Sequence, residues 1–132
     1  MRNTIDALPR EMLPDPMSKF PRGSCGDASL LLGAYFVDCG HLGFEYIVGE
    51  RGTNVNSTWT SHAWLARGNF TVDITADQFP DAPSKVIVDE PSIWHQQFEI
   101  ISKTPSDFRL WSGPGTYHLH TLYAKLMARL TQ

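Results

Sequence analysis

Three residues whose side chains cooperate in thiol chemistry occur along the chain in the order Cys25, His62 and Asp73. In such chemistry a thiolate attacks a carbonyl carbon, while an imidazole holds the thiol proton and returns it to the leaving group. A carboxylate beside the imidazole fixes its tautomer and orientation. Whether these three side chains can meet depends on the elements of secondary structure that carry them.

Cys25 stands at the start of a predicted helix that ends near Asp38. The apolar residues after it follow the spacing of one helix face: Ala28, Leu31, Leu32, Tyr35, Phe36 and Cys39. Three more apolar residues on the other side predict a helix buried nearly all round: Leu30, Ala34 and Val37. We expect Ser24 to be the N-cap, Asp27 to complete a capping-box-like pair, and Gly40 to end the helix.

The first turn of a helix is a favourable place for a reactive thiol. Backbone N–H groups and the positive end of the helix dipole lower the pKa of a cysteine there. We therefore interpret Cys25 as a nucleophile, the alternative being a small buried residue of the core. Its backbone N–H is expected to stabilise an oxyanion, helped by one of four side chains, Asn54, Asn56, Trp59 or Gln78.

The chain contains one other cysteine, Cys39, fourteen positions later on the same predicted helix. At about 1.5 Å of rise per residue the two lie about 21 Å apart, which is too far for a disulfide. Both are expected to be free thiols, as in the reducing cytoplasm. A bacterial protein exported without a signal peptide would have the same sequence features.

Two strand-like runs, 61–67 and 70–75, are joined by a Gly68-Asn69 turn that favours a tight hairpin. If those two residues form the loop, His62 and Asp73 share one face of the hairpin as diagonal neighbours. The opposite face is apolar and suits the core: Ala63, Leu65, Val72 and Ile74. Burial of that face should hold the register. A lone strand histidine is commonly a surface residue, but an aspartate placed to orient it favours a functional role.

The remaining chain supplies an α+β set of elements. Residues 1–22 contain four prolines and predict an irregular or short-helical arm that packs on the core. Strands are predicted at 44–49, 85–89 and 97–101, and a last amphipathic helix at 116–130. Two histidines of that helix, His118 and His120, could be imagined as zinc ligands together with His95. Residues two apart do not share a helix face, so no metal or other cofactor is expected.

Length and composition set broad limits on the class of protein. The 132 residues are expected to form one domain, 1–132, with a single core. A net charge of −3 argues against a nucleic-acid partner. No run of about 20 apolar residues predicts a membrane span, and the first 20 residues do not resemble a signal peptide. A cytoplasmic location is therefore expected.

The motifs around the three residues resemble those of a known family. Gly-Ser-Cys25-Gly-Asp-Ala before a helix, the strand Ser-His62-Ala-Trp64-Leu and the strand end Val-Asp73-Ile-Thr75 are similar to the core of transglutaminase-like proteins. That group belongs to the papain-like thiol superfamily, with arylamine N-acetyltransferases and many small bacterial cysteine peptidases. The resemblance covers residues 22–80. It implies an α+β fold in which the cysteine helix packs on an antiparallel sheet.

The resemblance also implies roles for the three residues: Cys25 as nucleophile, His62 as general base and acid, and Asp73 as the orienting carboxylate. The expected activity is hydrolysis of an amide bond in a protein or peptide substrate, by a peptidase or a protein-glutamine deamidase. The family's other activity is transfer of the acyl group to an amine. A short chain without extra domains or a lid favours hydrolysis. A third alternative is a binding module that has kept the scaffold and lost turnover.

Overall fold

A computed structural model describes residues 1–53 and 58–130 as an α+β fold built on a five-stranded antiparallel sheet. The strands are β1 (Glu45–Arg51), β2 (Thr60–Arg67), β3 (Phe70–Asp73), β4 (Ile87–Asp89) and β5 (Glu99–Pro105). Their order across the sheet is β4-β3-β2-β1-β5. The α-helices are α1 (Arg2–Asp6), α2 (Cys25–Asp38) and the C-terminal α3 (Tyr117–Leu130).

Helix α2 packs on one face of the sheet, the arrangement that the family resemblance implies. Its buried residues join inward-facing side chains of β2 and β3, including Leu65 and Val72, in the larger of the two apolar clusters that the described residues form. The helix approaches the loop after β5 so closely that a Cβ at Gly33 would overlap the Ser106 carbonyl group. Glycine is therefore needed at this point of the helix, although it has low helix propensity.

The β2–β3 hairpin confirms the predicted register. Arg67 pairs with Phe70, and Leu65 with Val72, around a turn in which Gly68 has a φ of 60°. The ladder between β2 and β3 ends at the pair Leu65–Val72. The residue pairs that the predicted register places beyond it are not part of the ladder. Because strand side chains alternate, the face opposite α2 carries a second cluster. That cluster consists of Ile47, Trp64 and Phe98.

The N-terminal arm forms short helical turns, with 3-10 helices at Arg10–Met12 and Asp15–Met17 after α1. Its apolar side chains are part of the larger cluster: Ile5, Leu8, Leu13, Met17 and Phe20. Arg2 is 7 % exposed and donates to both carboxylate oxygens of Asp77, at 2.7 and 2.9 Å. It also donates to the Ile74 carbonyl oxygen, at 2.8 Å. The arm thereby anchors the segment that follows β3.

The ends of α2 differ in part from the prediction. Ser24 is the N-cap residue, as predicted, but its hydroxyl donates to the Arg22 carbonyl oxygen and makes no capping hydrogen bond with the helix. Asp27 forms no capping box, because its carboxylate pairs with His118 of α3 at 2.8 Å. Cys39, placed by periodicity on the apolar stripe, is the C-cap residue and is exposed, since the helix ends before it.

The later strands differ from their predicted bounds. β4 begins at Ile87, two residues later than expected, and β5 spans Glu99–Pro105 instead of 97–101. A 3-10 helix at Trp94–Gln97 takes up the residues where β5 was expected to start. Among the described residues, no helix is both long and apolar enough to cross a membrane.

Candidate active site

Cys25 is the first residue of α2 and lies, partly buried, against the start of β2. Burial is the largest influence on its thiol and raises the pKa. The net effect nevertheless lowers the pKa of Cys25, because other influences outweigh burial. They are the hydrogen bond with His62, the positive charge of its imidazole, and the hydrogen bonds from the Ala63 backbone and the Gln78 side chain. The sulfur atom therefore lies in an environment that favours a thiolate paired with an imidazolium.

His62, on β2, is 1 % exposed and contacts Asp73 through one ring nitrogen. Its Nε2 atom lies 2.6 Å from the Asp73 Oδ2 atom, and its Nδ1 atom lies 3.3 Å from the Gln78 amide nitrogen. Burial lowers the pKa of His62, but hydrogen bonds and charge attraction from Asp73 and Cys25 raise it to about 9. With Nε2–H committed to Asp73, Nδ1 is left for the thiol.

Asp73, at the end of β3, accepts three hydrogen bonds through its two oxygens. Its Oδ1 atom accepts from the Thr75 backbone N–H at 3.0 Å. Its Oδ2 atom lies 2.6 Å from His62 Nε2 and 2.7 Å from His95 Nε2. Burial raises the pKa of Asp73. Stronger effects, of which the hydrogen bonds from His62 and His95 are the largest, lower the pKa to about 2. Asp73 is therefore an anion throughout the neutral range.

His95 also belongs to this site, although the sequence indicated for it only an imagined zinc role with His118 and His120. It lies in the 3-10 helix before β5, is 6 % exposed, and places its Nδ1 atom 2.6 Å from the Ser92 hydroxyl oxygen. Its segment is separated from β3 by a loop and by β4, so neither strand alternation nor helix periodicity relates it to Asp73. The neighbouring aromatic residues Trp94 and Phe98 indicate that the segment around His95 packs against the protein. They do not indicate that His95 contacts Asp73.

The distances among His62, Asp73 and His95 are those of hydrogen bonds. Two ligand atoms about 2.0–2.1 Å from a tetrahedral zinc ion lie about 3.3 Å apart, which is longer than either nitrogen–oxygen distance here. The other two histidines considered as zinc ligands have different partners. His118 pairs with Asp27, and the His120 ring packs against Phe108 with centroids 4.9 Å apart.

Aromatic rings surround the His62 imidazole. Ring centroids lie 4.9 Å away for Phe79, 5.8 Å for Trp64 and 6.0 Å each for Trp94 and Phe98. A guanidinium group, that of Arg51, lies 4.8–5.2 Å from the centroids of three of these rings, Phe79, Trp94 and Phe98. It also forms an ion pair with Asp81 at 2.7 Å. This cover keeps water from the imidazole and strengthens its hydrogen bonds with charged partners.

Of the four predicted oxyanion donors, Gln78 contacts the site. Its amide nitrogen lies near His62 Nδ1 and donates to the Thr75 carbonyl oxygen at 3.2 Å, while its side chain also interacts with Cys25. Trp59 is 47 % exposed. Asn54 and Asn56 lie outside the described residues. Asp77, the next carboxylate along the chain after Asp73, is bound by Arg2.

On another side of Cys25, Tyr46 of β1 lies against the start of α2. A Cβ at Gly26 would be 2.8 Å from the Tyr46 hydroxyl oxygen, so glycine makes room for the phenol. Burial first, and then the charges of Cys25 and Asp27, raise the pKa of Tyr46 to about 12. The hydroxyl group is therefore protonated beside the proposed nucleophile.

Comparisons with protein-family models, with curated proteins and with solved structures give no match. The assignment of a function therefore depends on the geometry described above.

Proposed function

We propose that this chain is a cysteine-dependent amide hydrolase of the papain-like, transglutaminase-like type, acting on a protein or peptide substrate. The observation that carries the proposal is the order of contacts from Cys25 to His62 to Asp73. It joins a thiol on a helix N-terminus to a buried imidazole and a buried carboxylate. These are the groups and the connectivity that acyl transfer through a thioester requires.

In the first half of the reaction, the Cys25 thiolate attacks the amide carbonyl carbon and a carbon–sulfur bond forms. The oxyanion is stabilised by the Cys25 backbone N–H and by the Gln78 amide. The His62 imidazolium then gives its Nδ1 proton to the leaving nitrogen as the carbon–nitrogen bond breaks. The products of this half are a thioester on Cys25 and a free amine or ammonia.

In the second half, water attacks the thioester and His62 Nδ1 takes one of its protons. The carbon–sulfur bond breaks, the acid leaves, and the thiolate–imidazolium pair is restored. Asp73 keeps Nε2 protonated throughout, so Nδ1 is the nitrogen that exchanges protons with the reacting groups. The carboxylate is not itself protonated in either half.

The test is a comparison of peptide libraries and protein extracts incubated with the wild type, Cys25→Ala and, as a matched control, Cys39→Ala. Mass spectrometry should show new peptide N-termini, or glutamine converted to glutamate with release of ammonia, for the wild type and Cys39→Ala. The Cys25→Ala variant should show neither. Equal product with Cys25→Ala would overturn the proposal. No product together with a Cys25 that alkylates no faster than an ordinary thiol would favour the binding module, because a site without turnover has no reason to keep a thiolate of low pKa.

Transfer to an amine is distinguished from hydrolysis by a competing nucleophile. A primary amine at millimolar concentration should leave the acid as the main product, because water reaches the thioester at far higher concentration. If the amine adduct became the main product, the transferase would replace the hydrolase as the proposed activity.

A further inference from the structure

Two histidines share one oxygen atom of Asp73, and only one of them faces the thiol. His62 and His95 both direct Nε2 at the Oδ2 atom, at 2.6 and 2.7 Å. Their ring planes differ by 18° and their centroids lie 6.2 Å apart. The triad of thiol, imidazole and carboxylate uses His62 alone, so His95 is a buried titratable group without a role in the steps above.

Ser92 secures the proton that His95 needs for this contact. Its buried hydroxyl oxygen lies 2.6 Å from the His95 Nδ1 atom. If the ring is neutral, the hydroxyl donates to Nδ1 and the ring proton stays on Nε2. If the ring is protonated, both nitrogens carry protons and Nδ1 donates to the hydroxyl oxygen. In either state, Nε2–H donates to Asp73.

We propose that His95, held by Ser92, is a positioning residue for the Cys25–His62 pair, on which it acts through Asp73. The inference rests on the proposed function of that pair. Asp73 is fixed by donors on both oxygens: Thr75 N–H on Oδ1, and the two imidazoles on Oδ2. His95 supplies the bond that stops the carboxylate from turning about its Cβ–Cγ bond away from His62.

Loss of His95 has two effects with the same direction. The buried carboxylate loses one of its three donors, which weakens its charged form. It also becomes free to turn, which weakens its hold on the His62 imidazolium. Both effects destabilise the thiolate–imidazolium pair, so Cys25 should need a higher pH to ionise. A role limited to filling space would change stability but not this pH.

The experiment measures the rate of alkylation of Cys25 by iodoacetamide from pH 4 to 10, in a Cys39→Ser background. His95→Leu should move the acid-side midpoint of the rate profile upward by about one pH unit, since a hydrogen bond to a charged group is lost. His95→Gln, which keeps an N–H near the position of Nε2, should restore most of the shift. His120→Leu, a histidine of α3 outside the site, is the matched control and should leave the midpoint unchanged.

Several outcomes would overturn the proposal. One is a folded His95→Leu variant whose midpoint is unchanged or lower. Another is tight zinc binding by the wild type that both His62→Ala and His95→Leu abolish, because the three side chains would then form a metal site. A wild-type midpoint at the pH of an ordinary thiol would instead contradict the proposed function, whatever the His95 variants do.

Nuclear magnetic resonance keeps the inference testable if His95→Leu fails to fold. Nitrogen-15 shifts of the wild-type histidines should show a proton on His95 Nε2 at every pH from 5 to 8. A neutral ring protonated on Nδ1 would overturn the proposal. In Ser92→Ala the midpoint of Cys25 alkylation should also move upward, but by less than in His95→Leu. The His95 ring is still present, but no hydroxyl holds it in the tautomer with the proton on Nε2.

Discussion

The His62 Nε2 atom lies 2.6 Å from the Asp73 Oδ2 atom, and each residue is 1 % exposed. A hydrogen bond this short between buried groups is stronger than its equivalent at the surface, because no water competes for either partner. The contact stabilises the imidazolium beside Cys25, and it helps to raise the pKa of His62 and to lower the pKa of Asp73.

The two cysteines should differ in reactivity. At pH 6, Cys25 should react with iodoacetamide at least tenfold faster than Cys39, because an ordinary thiol is less than about 1 % ionised at that pH. Cys39 is exposed at the opposite end of α2, without the imidazole that Cys25 contacts. Peptide mapping after timed labelling measures both rates. Equal labelling in the folded protein would contradict the assignment of Cys25 as the nucleophile.

Asp73→Asn should lower turnover about 10³–10⁴-fold without unfolding the chain, because the amide no longer holds His62 in the required tautomer. Asp77→Asn is the matched control. Asp77 is four residues away and binds Arg2, so its loss should cost about 1–3 kcal/mol of stability and spare the reactivity of Cys25. The same outcome for both variants, in alkylation and in urea denaturation, would mean that Asp73 is only structural.

The pair should contribute stability over a defined range of pH. The pKa of Asp73 is lowered to about 2, so its contribution is full above the ordinary value of 3.8 and is lost as the pH falls through about 2. The pKa of His62 is raised to about 9, so its contribution is full below 6.5 and is lost as the pH rises through about 9. Urea denaturation of the wild type should show both losses. If the free energy of unfolding of Asp73→Asn fell below pH 4 as steeply as that of the wild type, the loss of stability in acid would not come from Asp73.

Gly33→Ala should destabilise the protein by about 2 kcal/mol or more, because the new methyl group would overlap the Ser106 carbonyl group and force α2 away from the loop after β5. In a free helix, replacing glycine by alanine would stabilise the helix by about 1 kcal/mol. The sign of the change in unfolding free energy therefore shows whether α2 approaches Ser106 closely. Gly115→Ala is the control, since a Cβ there meets open space. Chemical denaturation measures both variants, and a stabilised Gly33→Ala would refute the close approach.

The sequence by itself determined the elements whose signals are local. Apolar periodicity and Gly40 defined the extent of α2, with Cys25 in its first turn. The Gly68 turn and strand alternation set the hairpin register, which brings His62 and Asp73 to one face. These inferences held because spacing along one element, or across one tight turn, determines direction within that element. The roles of the three residues, and the likeness to transglutaminase-like proteins, remain proposals.

Only the tertiary structure decided which distant side chains meet. His95 reaches Asp73 from beyond β4, His118 takes Asp27 away from its expected capping role, and Arg2 takes Asp77. None of these pairs has a periodic relation in the sequence, because each depends on how separate elements pack. A polar side chain binds the strongest partner that packing leaves within reach, and that partner is set by the whole fold rather than by the neighbouring residues.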